Sequence, residues 1–187
     1  MSGKRVIIIA GTGVPPLLSK SIYGPLAKSI NGDVEIVTLH NLGLSHTMKS
    51  VEHIKKYIDS GDTPLSLVGH SQGGVVASIL GAQYPNIFSK IITMGAPLKG
   101  TVLCNYLMPT PGLRSMSQSS EVLKTIIALP KMHNIVGTRD KVIVPTESGL
   151  LEGANHHIMK RVTHTGLIYD SETRMLISRI LDEGLID

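Results

Sequence analysis

The apolar and polar positions of this chain alternate between two rhythms. Short apolar or alternating runs at 4–10, 34–39 ("VEIVTL"), 65–69, 90–94 ("KIITM"), 132–136 ("MHNIV") and 156–162 predict strands. Between them, 18–30, 47–59, 72–83, 118–128 and 171–183 carry apolar residues at helical spacing. In the last, Leu176, Ile177, Ile180 and Leu181 form a stripe along an otherwise polar helix. Regular alternation of this kind predicts an α/β fold, with about six mostly parallel strands and helices on both faces of the sheet. Function in such sheets collects at the carboxyl ends of the strands. No repeat, low-complexity tract or linker interrupts the pattern, so 1–187 reads as a single domain.

The sharpest change of rhythm lies in "LSLVGHSQGGVVASIL", residues 65–80. A strand-like run ends at Gly69-His70-Ser71-Gln72-Gly73-Gly74, and Val75, Val76, Ile79 and Leu80 give the next helix its buried face. G-x-S-x-G at a strand-to-helix corner predicts a nucleophile elbow. The serine is forced into strained torsions, and side chains at 69 and 73 would clash where strand and helix pack closely. The helix N-terminus then aims free N–H groups at developing negative charge. The plain alternative is that Ser71 caps a helix in a glycine-rich turn.

A serine hydroxyl needs a base to take its proton and a carboxylate to orient that base. In a parallel sheet of this type the acid follows a later strand and the histidine comes last. "HNIVGTRDKVIVP" places Asp140 four residues beyond the strand ending at Val136, and "THTGLIYD" places His164 past the final strand. Among the other histidines, His70 packs beside the serine, and His133, His156 and His157 fall in strands. His53 sits mid-helix, and His40 and His46 follow the second strand. Glu147 follows Pro145 at a helix start, and Asp170 caps the last helix. The oxyanion donors are expected to be the backbone N–H groups of Gln72 and of Thr12 in "AGTGVPP", with Gly13 the alternative in that loop. Pro16 in place of the third glycine, and the lack of a Walker lysine, exclude a nucleotide loop.

The longest irregular stretch, 96–117, contains Pro109, Pro111 and Gly112, which break regular structure. It forms either a wall of the substrate pocket or a surface excursion. Composition narrows the classes further. Six aromatic residues in the whole chain leave an aliphatic core and no stacking platform for nucleic acid. The net charge of +4 is scattered, reading as solvated surface unless an anionic partner uses it. The single cysteine, Cys104, excludes an internal disulfide, and no histidine pair has zinc-ligand spacing. The apolar run 6–10 is too short for a signal peptide, and no segment reaches transmembrane length. A cytoplasmic monomer is therefore expected, with no cofactor and no metal.

The set Ser71 in "GHSQGG", Asp140 in "GTRDKVIVP" and His164 in "THTGLIYD" resembles the α/β-hydrolase superfamily, and within it the small lidless bacterial lipases. "MGAPLKGT" at 94–101 resembles the G-[TA]-P-x-x-G-T segment of many lipases and esterases, and "SMSQSSEVLKTI" the helix that commonly follows. Ala10-Gly11 stands where those lipases have His-Gly. The resemblance spans Arg5 to about Leu181. It implies a minimal α/β-hydrolase that cleaves carboxylic esters, of lipase or esterase type, through a Ser71-His164-Asp140 triad and an acyl-enzyme. The alternatives are an acyl-thioesterase or protein deacylase with the same triad, and a catalytically silent binding subunit.

Overall fold

The computed structural model describes residues 4–58, 65–106 and 110–183. Six strands form one all-parallel sheet: β1 (Arg5–Ile9), β2 (Asp33–Val37), β3 (Leu65–His70), β4 (Phe88–Met94), β5 (Met132–Gly137) and β6 (Asn155–Met159). Their spatial order is β2-β1-β3-β4-β5-β6. The chain starts inside the sheet, runs one strand outward, crosses back over β1 to β3 and then grows in the other direction. Strand order therefore reverses between β1 and β3, and the crevice at their carboxyl ends is where such sheets bind ligands. The glycine-rich turn after β1 and the Ser71 corner after β3 both open there.

Helices α1 (Pro16–Ala27), α2 (Thr47–Lys55), α3 (Gln72–Gln83) and α6 (Ser171–Asp182) cover the sheet, joined by two one-turn helices, α4 (Pro111–Arg114) and α5 (Gly166–Tyr169). The period of two divides the core. Ile7, Ile9, Leu65, Leu67 and Ile91 face one side with α2 and α3. Val6, Ile8, Val68, Ile92 and Met94 face the other, against Tyr23 and Leu26 of α1 and Ile177, Ile180 and Leu181 of α6. Helices on both faces bury both sides of the central strands, as in other parallel sheets; Val6 to Ile9 have no solvent exposure. Asp170 caps α6, accepting hydrogen bonds from the amide and hydroxyl of Thr173 at 2.8 Å each. No helix among the described residues is long and apolar enough to cross a membrane.

Element positions agree with the apolar rhythm, but three features differ. The helix expected over 118–128 is absent: only a single 3-10 turn forms, at Leu123–Thr125, and Ile126 is already extended. Just Leu123 is fully buried there, with Val122, Ile126 and Leu129 partly packed on the core. Without a continuous face to bury, helix nucleation is not repaid. Pro111 starts a helix where a break was expected. It occupies the first helical position of α4, whose N-cap Thr110 accepts from the Leu113 amide at 3.3 Å. The last strand ends at Met159, earlier than the pattern 156–162 predicts. Residue 59, the end of the second predicted helix, and Pro109 lie outside the described residues.

Helix α3 approaches the sheet closely. A Cβ at Gly73 would overlap the carbonyl oxygens of Ile9 and Ala10, and one at Gly69 would overlap the Gly73 backbone. A Gly73→Ala substitution is therefore expected to destabilise the fold by about 1–3 kcal/mol or more, as overpacking against rigid backbone does. Urea unfolding measures this; unchanged stability would contradict the packing described.

Candidate active site

Ser71 sits at φ 55° and ψ −127°, in the left-handed half of the backbone map that non-glycine residues rarely enter. The strain is held in place from both sides. The Ser71 amide donates to the Met94 carbonyl at 2.9 Å, and the Ser71 carbonyl accepts from the Gly74 amide at 2.9 Å. Although Ser71 occupies the N-cap position of α3, its hydroxyl makes no capping hydrogen bond. The side chain is thus free of the structural duty that a capping serine performs.

Asp140 and His164 form a buried pair. His164 Nδ1 lies 2.7 Å from Asp140 Oδ2, and the Asp140 side chain is 1% exposed against 10% for His164. The second carboxylate oxygen accepts from the amides of Val142 (2.8 Å) and Ile143 (2.9 Å), so the turn after β5 itself grips the acid. Burial pushes the carboxyl pKa up. The hydrogen bond and charge of His164, together with the Ile143 and Val142 amides, outweigh that and hold it below the usual carboxylate range. A carboxylate here accepts from Nδ1–H, which fixes the imidazole tautomer and leaves Nε2 with its lone pair.

Gly95, just past β4, makes room for this pair. It has φ +53°, and a Cβ there would lie 3.0 Å from His164 Nδ1 and 3.1 Å from Asp140 Oδ2. Thr101, at the other end of "MGAPLKGT", binds the acid's loop. Its hydroxyl donates to the Val142 carbonyl (2.9 Å) and accepts from the Val144 amide (3.0 Å). Neither role is visible in sequence without the resemblance that marks the segment, because each joins residues more than 40 positions apart.

In the loop after β1, the Gly11 amide donates to the Tyr23 hydroxyl at 2.8 Å and the Gly13 amide to the Leu42 carbonyl at 2.8 Å. That occupies Gly13, the alternative oxyanion donor. The Thr12 amide has no such partner among the described residues. The Thr12 hydroxyl donates to Gln72 Oε1 at 2.7 Å, and Gln72 Nε2 donates to Thr47 Oγ1 at 3.0 Å, tying the loop to the elbow.

A cavity of about 240 Å³ brings Thr12, Ser71 and His164 together. Its other walls are Val142 and Ile143 from the acid's loop and Pro97, Thr101, Leu103, Cys104, Leu113 and Met116. Those last six belong to the irregular stretch 96–117, so its described part walls the cavity. Burial raises the Cys104 thiol pKa, which keeps it a neutral wall residue.

The other histidines stay outside the cavity lining. His133 Nδ1 and His157 Nε2 pair at 3.1 Å between β5 and β6, and His46 accepts from the Met48 amide at 3.4 Å to start α2. Among the described residues no three His, Cys, Asp or Glu side chains group as a metal site would require.

A fold with a serine at this corner, and a buried His–Asp pair opening on the same crevice, defines the α/β-hydrolase class. The family model described as "Serine hydrolase (FSH1)" matches residues 41–167, and the chain belongs to that family. Among solved structures it is similar to lipase B of Aspergillus fumigatus, with TM-score 0.79 and 18% identity over 94% of this chain and 52% of that one. The chain thus spans about half the length of that lipase. It is also similar to a serine hydrolase involved in carbazole degradation (TM-score 0.69, 16% identity, 96% of this chain and 91% of that one). A third is Est1E from Butyrivibrio proteoclasticus (TM-score 0.69, 15% identity, 97% and 86%). At these identities the likeness to solved structures is one of fold.

Two outcomes follow from the site's construction. Gly95→Ala, which forces a Cβ against both members of the pair at a positive φ, is expected to destabilise the fold by about 1–2 kcal/mol. A melting temperature equal to wild type would contradict this. The second concerns His70, which burial first, then the nearby His164, holds down to about 3 from an ordinary 6.5. The unfolded chain therefore binds this proton more readily than the folded one. Stability is complete above about pH 6.5 and falls as the pH drops toward 3, by about 2–3 kcal/mol between pH 7 and 4.5. Urea midpoints at the two pH values should separate for wild type and draw together in His70→Gln; equal separations would refute the assignment.

Proposed function

We propose that this serine hydrolase cleaves carboxylic esters of short to medium acyl chain through Ser71, His164 and Asp140. The observation that carries the reading is the cavity itself: a strained serine with an uncommitted hydroxyl and a carboxylate-oriented imidazole share one apolar pocket. Ser71 Oγ attacks the ester carbonyl carbon while its proton passes to His164 Nε2. The Thr12 and Gln72 N–H groups hold the oxyanion, each donor contributing about 3 kcal/mol. Collapse expels the alcohol, which takes the proton back from His164 and leaves the acyl group on Ser71. Water then repeats the sequence, releasing the acid and restoring the serine.

The pocket volume supports a short to medium acyl chain. A space of about 240 Å³ holds about eight groups the size of a water or methylene at roughly 30 Å³ each. Aliphatic walls at Leu103, Leu113, Met116 and Ile143 suit an acyl chain of that length.

A series of p-nitrophenyl esters from acetate to palmitate tests this. Turnover is expected to peak between butyrate and octanoate, and Ser71→Ala is expected to lose about 10⁴-fold or more in kcat. Full activity in Ser71→Ala would refute the nucleophile, and a palmitate optimum would refute the acyl pocket.

A further inference from the structure

The two residues flanking Ser71, which a G-x-S-x-G pattern leaves unspecified, are both buried, and each side chain makes two hydrogen bonds to other segments. We propose that His70 and Gln72, with Tyr23 of α1, are positioning residues that hold the oxyanion loop and the His164 backbone in register with Ser71. This rests on the ester-hydrolase reading.

His70 is 4% exposed, and its ring lies 4.8 Å from that of His164, centroid to centroid. His70 Nε2 sits 3.2 Å from the His164 carbonyl oxygen. A carbonyl only accepts, so Nε2 carries the hydrogen and Nδ1 presents its lone pair. Nδ1 is 2.9 Å from the Tyr23 hydroxyl, which must then donate to it. The same hydroxyl accepts from the Gly11 amide at 2.8 Å. Every proton in the chain is therefore assigned: Gly11 N–H to Tyr23 O–H, Tyr23 O–H to His70 Nδ1, and His70 Nε2–H to the His164 carbonyl.

A satisfied core histidine would show similar bonds, but its partners would be arbitrary. Here one end is the residue before Thr12 and the other is the backbone of the proposed base. The loop lies so close that a Cβ at Gly11 would be 3.1 Å from His70 Nδ1 and 3.2 Å from Ser71 Cβ. On the opposite flank, Oε1 of the fully buried Gln72 side chain accepts from the Thr12 hydroxyl, in space left by Gly43, where a Cβ would overlap that oxygen. Burial drives the His70 pKa far down and the Tyr23 pKa up, so neither changes charge near neutral pH. Their task is geometric; they do not move protons in turnover.

The test is Tyr23→Phe, which removes one oxygen and keeps the ring. Kinetics use p-nitrophenyl butyrate, with kcat normalised to sites titrated by a fluorophosphonate. Loss of positioning is expected to lower kcat by about 10- to 100-fold, the scale of a misplacement near 1 Å, with KM within about twofold of wild type. A purely structural role would lower the melting temperature and leave kcat per titrated site unchanged, which would overturn the proposal. His70→Asn retains an acceptor for Tyr23, and His70→Gln retains a donor for His164. Each is expected to recover part of the activity that His70→Ala loses. Should Tyr23→Phe not fold, these two variants decide, and equal kcat in all three His70 variants overturns the proposal. If wild type neither turns over nor labels, the hydrolase reading fails and this inference falls with it; if wild type is active and Tyr23→Phe matches it, this inference alone fails.

Discussion

The backbone of Ser71 is the constraint on which the carboxyl edge of the sheet depends. A non-glycine residue at φ 55° is costly, and it persists only because the surroundings determine it several times over. The tight seating of α3 against β1 and β3, which Gly69 and Gly73 permit, fixes the corner. The Met94 carbonyl takes up the Ser71 amide. Once the corner is set, the first turn of α3 points its amides into the crevice between β1 and β3, where the strand order reverses. The strain thus exposes a hydroxyl that a relaxed helix start would turn back to cap the backbone.

The remaining parts arrive from separate strands and are held by short polar contacts. Asp140 is gripped by its own turn and by His164; the acid's loop is held by Thr101. Thr12 is held by Gln72. Several of these bonds join separate segments, and in a low-dielectric site they are costly to break. Apolar walls from the stretch 96–117 then close the pocket around the polar end.

Much of this was legible in the sequence for physical reasons. Period-two and period-3.6 apolar rhythms are local, so six strands and four main helices could be read directly, along with the parallel sheet that their alternation requires. The Ser71 corner was legible because it is written in consecutive residues. Asp140 and His164 were legible through their order along the chain, and the structure brings them to a 2.7 Å pair. What could not be read is what depends on distant segments. Gly95 under the His–Asp pair and the Tyr23–His70 connection join residues 45 or more positions apart, and no local pattern encodes them. The 118–128 segment misled for the complementary reason: its residues have helical spacing, but only Leu123 is buried, with Val122 and Ile126 partly packed on the core.

The proposed chemistry requires that the surroundings of Ser71 make it nucleophilic. Its most direct measurement is the intact and peptide mass of the protein after exposure to a fluorophosphonate, folded and in urea. One phosphonyl group on Ser71 in the folded protein, absent in urea and absent in His164→Ala, is expected. Folded wild-type protein that carries no adduct, or carries it on another residue, would contradict it.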